Sequence, residues 1–81
     1  MADFTREEVI EIVLNRKKCE GADLKYLDLS EVNLKGAGLR GAFLWDANLT
    51  RAYLVGAMYN ANTKWPEFFD PQAAGAVLVE D

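Results

Sequence analysis

The side chains able to do chemistry are few. Cys19 is the single thiol, Ser30 the single serine, and there is no histidine. Neither a His-paired nucleophile nor a His-based metal site can be assembled from this inventory. A carboxylate pair working as general acid and base is the one catalytic arrangement left, drawn from Asp23, Asp28, Glu31 and Asp46. Gly36, Gly38, Gly41 and Gly56 sit at turn or side positions of a repeat and not between a strand and a helix, so they make no phosphate-binding loop. No residue is assigned a catalytic, cofactor-binding or metal-binding role, and no cofactor is expected.

The elements that position these residues follow from a repeat. Ala22 to Ala61 read in fives as ADLKY, LDLSE, VNLKG, AGLRG, AFLWD, ANLTR, AYLVG and AMYNA. The third letter is Leu24, Leu29, Leu34, Leu39, Leu44, Leu49 and Leu54, with Tyr59 closing the series, and the first letter is always apolar. Five matches neither the alternation of a strand nor the 3.6-residue period of a helix. Two inward letters per unit imply a coil that turns a corner after each unit. Asp23, Asp28, Asn33 and Asn48 at the second letter suit such corners, because their short side chains bond nearby backbone.

This register, with ADL and ANL and more loosely LDL and VNL, resembles the pentapeptide-repeat family. The resemblance implies an all-β solenoid, a right-handed quadrilateral β-helix in which four units make a coil of twenty residues, here about two coils. Residues twenty apart would then stack about 4.8 Å apart. Glu31 should lie under Arg51, Glu20 under Arg40, Lys25 under Trp45, Tyr26 under Asp46, Ser30 under Thr50 and Gly36 under Gly56.

One domain, residues 1–81, is expected, with the repeat spanning 19–61. Before it, residues 3–18 read as an amphipathic cap helix. Thr5 and Glu8 have the spacing of a capping box, and Phe4 and Val9 that of a hydrophobic staple. Val9, Ile10, Ile12, Val13 and Leu14 form its apolar face, with Arg16, Lys17 and Lys18 in the last turn. Counting back by fives puts Cys19 in the core as a small hydrophobe. Residues 62–81 should form a C-terminal cap, with Trp65, Phe68 and Phe69 folded back, a short helical turn from Asp70 to Gly75, and a strand from Ala76 to Val79. The wording of this tail, WPEFFDP and AGAVLV, is similar to the closing segment of cyanobacterial members of the family.

Charge separates the functional classes. The net charge is −4, which opposes a nucleic-acid binder that neutralises phosphates. Some acidic family members imitate duplex DNA and inhibit enzymes such as topoisomerases. Here residues 22–61 carry four basic and four acidic groups, so the rod is neutral. The opening MADFTREE lacks the layout of a secretory signal, and no apolar run approaches the ~18 residues that span a bilayer. A soluble cytoplasmic protein without membrane or nucleic-acid partners is the expectation.

What remains is a non-enzymatic protein–protein interaction or scaffolding module, and the outward letters locate it. The second coil carries Phe43, Trp45, Tyr53, Val55 and Met58 where the first carries Asp23, Lys25, Asn33, Lys35 and Gly38. Exposed apolar groups on one coil point to a protein partner or to a homodimer.

Overall fold

In the computed structural model, which describes residues 4–80, the repeat dictates the backbone unit by unit. Each third-letter Leu accepts a hydrogen bond from the amide three residues on, as in Leu27 to Leu24 (3.4 Å), Val32 to Leu29 (3.2 Å) and Ala37 to Leu34 (3.1 Å). The fifth letter is the third residue of this turn, and it lies in the left-handed region at Tyr26, Glu31, Gly36, Gly41, Asp46, Arg51 and Gly56. That is the signature of a type II turn. A turn every five residues leaves only the second and third letters extended between corners.

Those extended letters pair with residues twenty further on. Parallel bridges join Asp23 to Phe43, Asp28 to Asn48, Asn33 to Tyr53 and Gly38 to Met58, giving four lanes of stacked residues. In each lane the third-letter amide donates across, as from Leu24 to Phe43 (2.7 Å) and from Leu34 to Tyr53 (2.7 Å). The second-letter amide of the next layer donates back, from Phe43 to Ala22 (2.9 Å) and from Tyr53 to Val32 (3.0 Å). Regular strand is therefore scarce. Because a corner follows each rung at once, the only strands among the described residues are β1 (Met58–Tyr59) and β2 (Val77–Leu78), paired in parallel.

Inside the stack the third-letter Leu column is buried from Leu24 to Leu54, joined by Cys19 and the small first letters Ala22, Val32, Ala37, Ala42, Ala47 and Ala57. Side chains at the second letter bond the amide two residues on, as expected: Asp23 to Lys25, Asp28 to Ser30, Asn33 to Lys35 and Asn48 to Thr50, all at 3.0–3.2 Å. Arg51 Nε donates to Glu31 Oε2 at 3.0 Å, and Arg40 Nε lies 3.7 Å from Glu20 Oε2, so two expected charge pairs form.

Helix α1 is Arg6–Leu14, shorter than the expected 3–18; Met1 to Asp3 and Asp81 lie outside the described residues. The capping box is present: the Glu8 amide donates to Thr5 Oγ1 (3.1 Å) and the Thr5 amide to Glu8 Oε1 (2.8 Å). Val9 is fully buried, and Phe4, Ile10, Ile12 and Val13 pack against the core. Leu14 does not join them and is 76% exposed, because the helix stops there. Arg16 takes a left-handed φ of 59°, its amide donates to Val13 O (3.0 Å) and the Lys17 amide to Ile12 O (2.9 Å). This is a Schellman cap built without glycine. It carries Arg16, Lys17 and Lys18 out of the helix, where they were expected to sit in its last turn. Among the described residues, no helix is long and apolar enough to cross a membrane.

At the other end the ladder outlasts the sequence period. Phe43 pairs with Lys64, and Met58–Tyr59 with Val77–Leu78, so the first and fourth lanes gain a third layer. The Phe43–Lys64 spacing contains one extra residue, and Asn60 with Thr63, both buried, absorb it. Thr63 Oγ1 accepts from the Asn60 amide (3.1 Å) and donates to Leu39 O (2.8 Å), so one hydroxyl relays the Asn60 amide to the preceding layer. Asn60 Oδ1 accepts from the Gly41 amide at 3.1 Å. Trp65 stacks on Phe69 (5.1 Å between centroids), meets Tyr59 edge-on (5.4 Å), and both pack against the core. Phe68, expected to fold back with them, is instead 98% exposed, because its left-handed φ of 66° turns it outward. Asp70 Oδ1 accepts from Gln72 and Ala73, and Gly75 ends a turn that does not lengthen into a helix.

The Thr63 relay can be tested by its hydroxyl alone. Thr63→Val keeps the shape but strands buried backbone groups, and should lower the unfolding free energy by about 1–3 kcal/mol in urea titrations, whereas Thr63→Ser should recover most of it.

Candidate functional site

The residues that might have done chemistry are dispersed by the frame. Cys19 is 2% exposed, and burial pushes its thiol pKa up, which makes it core filling and a poor nucleophile. Three of the four carboxylates, Asp23, Asp28 and Glu31, are occupied locally. Asp23 bonds the Lys25 amide and lies 3.8 Å from Lys25 Nζ, which turns there and not toward Trp45; Glu31 is held by Arg51; Asp46 stands at a left-handed corner. No group of three metal-ligating side chains occurs among the described residues.

Asp28 has the most developed surroundings. Ser30 donates to its Oδ1 from both the hydroxyl (2.6 Å) and the amide (3.1 Å), and Arg6 Nη1 of α1 lies 3.5 Å away. The Ser30 hydroxyl, then its amide, then the Arg6 charge hold the Asp28 carboxyl below the usual aspartate range. Arg6 also donates to the Asp28 carbonyl at 2.7 Å, so this cluster fastens α1 to the first coil.

The outward apolar residues fall into two places. Phe43 and Trp45, in the first lane, form a tilted ring pair with centroids 6.1 Å apart and are 37% and 49% exposed. Tyr53 and Val55, two lanes away, are 57% and 61% exposed, and Lys35 Nζ stands 5.9 Å from the Tyr53 ring. Met58 is half-buried and stands apart from both, lining a groove of about 660 Å³ between α1 and the third and fourth lanes. Trp65 and Phe69, engaged with Tyr59 and the core, cover neither group, and Phe68 points to solvent.

That groove has no counterpart in the sequence reading. Arg6, Arg16, Lys17, Lys18 and Lys35 line it, five of the nine basic residues in the chain. Its assembly depends on the Schellman cap, which nothing in the residue types around Arg16 announces. The run of three cations, Arg16, Lys17 and Lys18, directly after the apolar face was the available signal, and the helix-dipole reading had absorbed it.

The family model for pentapeptide repeats matches residues 28–58 with eight copies. Across the solved structures, the chain is similar to a pentapeptide repeat protein from Nostoc Pcc 7120, at 34% identity over 76% of this chain and 72% of that one, with a TM-score of 0.41. The chain belongs to the pentapeptide-repeat family. No curated protein gives a significant match. Membership supports a non-enzymatic repeat protein with a β-helical, solenoid-like frame.

The family frame makes Asp28 a fastener between helix and coil, with a pH signature. A carboxyl whose folded pKa is depressed contributes stability above its unfolded pKa, and that stability is lost as pH falls through the folded value. Asp28→Asn should therefore be less stable than the parent at pH 7, and urea titrations repeated toward about pH 3 should show the gap closing. A gap that stays constant across this range would mean that the charge is idle.

Proposed function

We propose that this protein is a cytoplasmic, non-enzymatic interaction module that binds a protein partner, its own second copy included, through the outward apolar residues of the second coil. Its frame in this reading is a right-handed quadrilateral β-helix of about two coils, capped by α1 and by the C-terminal segment. One observation carries the proposal. With the tail folded and its aromatics engaged elsewhere, Phe43, Trp45, Tyr53 and Val55 still stand between 37% and 61% exposed.

Apolar clusters of this kind on a small domain mark interfaces, and Trp and Tyr supply most of the binding energy where they occur. Phe43 and Trp45 already touch, so they offer a preformed aromatic ridge whose burial needs little ordering of side chains. Two such ridges meeting about a two-fold axis make the simplest closed assembly. A DNA-imitating surface gains nothing from the structure, because the groove beside α1 is lined by five cations.

Trp45→Ala and Tyr53→Ala should leave the fold intact by circular dichroism and weaken self-association in sedimentation velocity by at least about tenfold, the equivalent of ~1.4 kcal/mol. If both variants sediment like the parent at every concentration, the apolar residues are surface without a partner.

A further inference from the structure

The fourth lane is chemically polar from end to end. At its head stand Lys17 and Lys18; a methyl group on Gly38 would come within 2.9 Å of Lys18 Cγ, so the lysine stem lies across that glycine. Gly38 pairs with Met58, and Met58 with Val77. At its foot is β2, which has β1 as its single neighbour and so keeps an open edge, with Val77 and Leu78 48% and 55% exposed and Glu80 following. The head is cationic and the foot is aliphatic and acidic.

The head is also concave. The apolar part of the groove comes from Ile10, Val13, Val32, Ala37 and Met58, beneath the five cations. Glu31 is the one acidic residue among the described residues that line it, and Arg51 already holds it at 3.0 Å. Arg6 is spent on Asp28 and Lys18 lies 4.0 Å from Glu20, but Arg16, Lys17 and Lys35 have no carboxylate partner among the described residues. The complement of this surface is a short segment with aliphatic side chains beside acidic ones. Residues 76–81, AVLVED, are such a segment, and they lie in a stretch, 62–81, that carries one basic and four acidic groups.

We infer that the groove at the head of the fourth lane receives the C-terminal segment of a second copy, Val77 and Leu78 against its apolar part and Glu80 among Arg16, Lys17 and Lys35. Within one molecule Val77 and Leu78 are held on the rung after Met58 by their pairing with β1, so the segment that fills the groove comes from another copy and the contact is head-to-tail between molecules. An open strand edge flanked by apolar residues is a ready template for such docking. The contact is heterologous, and unlike the two-fold contact of the apolar ridge it generates a series of sizes. It does not depend on that ridge. An anionic membrane is the weaker match, since an overall charge of −4 opposes approach to a negative surface.

The test uses Trp45→Ala as the background, to silence the ridge, and adds Lys17→Glu to one protein and Glu80→Lys to another. In low salt the background protein should show concentration-dependent growth beyond dimer by sedimentation velocity, reduced by added salt. Each charge variant alone should associate at least about tenfold more weakly. Mixed one to one, they should associate more strongly than either alone, because the acidic tail of the Lys17→Glu protein fits the basic groove of the Glu80→Lys protein and the two reversed charges complement each other in the opposite contact. A background protein that stays monomeric, variants that associate like it, or a mixture that behaves as its components would each overturn the inference. Binding of the monomeric background protein to phosphatidylglycerol vesicles, lost in Lys17→Glu, would do so too, and would give the groove to a lipid surface instead.

Discussion

The backbone hydrogen bonds between residues twenty apart are the interaction on which the structure depends. They exist only because the chain turns every five residues, and it turns because every fifth residue from Gly21 to Gly56 sits in the left-handed region. Glycine meets that demand at four of the eight positions. At Tyr26, Glu31, Asp46 and Arg51 an ordinary side chain accepts a conformation that costs about 1–2 kcal/mol. Two of these strained residues illustrate what offsets the cost: the Tyr26 amide donates to Trp45 at 3.1 Å and the Glu31 amide to Thr50 at 3.0 Å, bonds that the left-handed turn makes possible.

From that ladder the division of labour follows. First and third letters fill the core, and the remaining letters face out and carry little folding duty. Where the ladder meets its ends, other devices take over: α1 buries Val9 against the first layer, and Trp65 with Phe69 pack below the last. Thr63 closes the first lane, where the spacing slips to twenty-one, its one hydroxyl accepting from the Asn60 amide and donating to Leu39 O. Function is therefore free to occupy the outer letters of the second coil and the groove left where α1 departs from the first.

Much of the frame was legible in the sequence because it depends on side-chain type at fixed spacing. The inward Leu column, the Asp and Asn corners, the Glu31–Arg51 pair, the Thr5–Glu8 capping box and the burial of Cys19 all follow from counting. The features that were not legible rest on backbone conformation that residue type does not announce. Arg16 ends the helix in a cap usually made by glycine, which exposes Leu14 and moves three cations to the groove rim. Phe68 turns outward for the same reason. The third layer was hidden because its spacing is twenty-one in the first lane and nineteen in the fourth, so a period-five count loses the register there. At the candidate site, the outward direction of Phe43, Trp45, Tyr53 and Val55 was readable from the register, but the separation of Met58 into a cationic groove was not.

Native-state hydrogen exchange tests the ladder most directly. If the ladder is what the fold rests on, the amides of Leu24, Leu29, Leu34 and Leu39, one from each lane, should share a single opening free energy equal to that of global unfolding, and the amides of α1 should exchange no more slowly than these. Lanes that open separately, or a helix that keeps its protection after the four Leu amides have exchanged, would contradict the account.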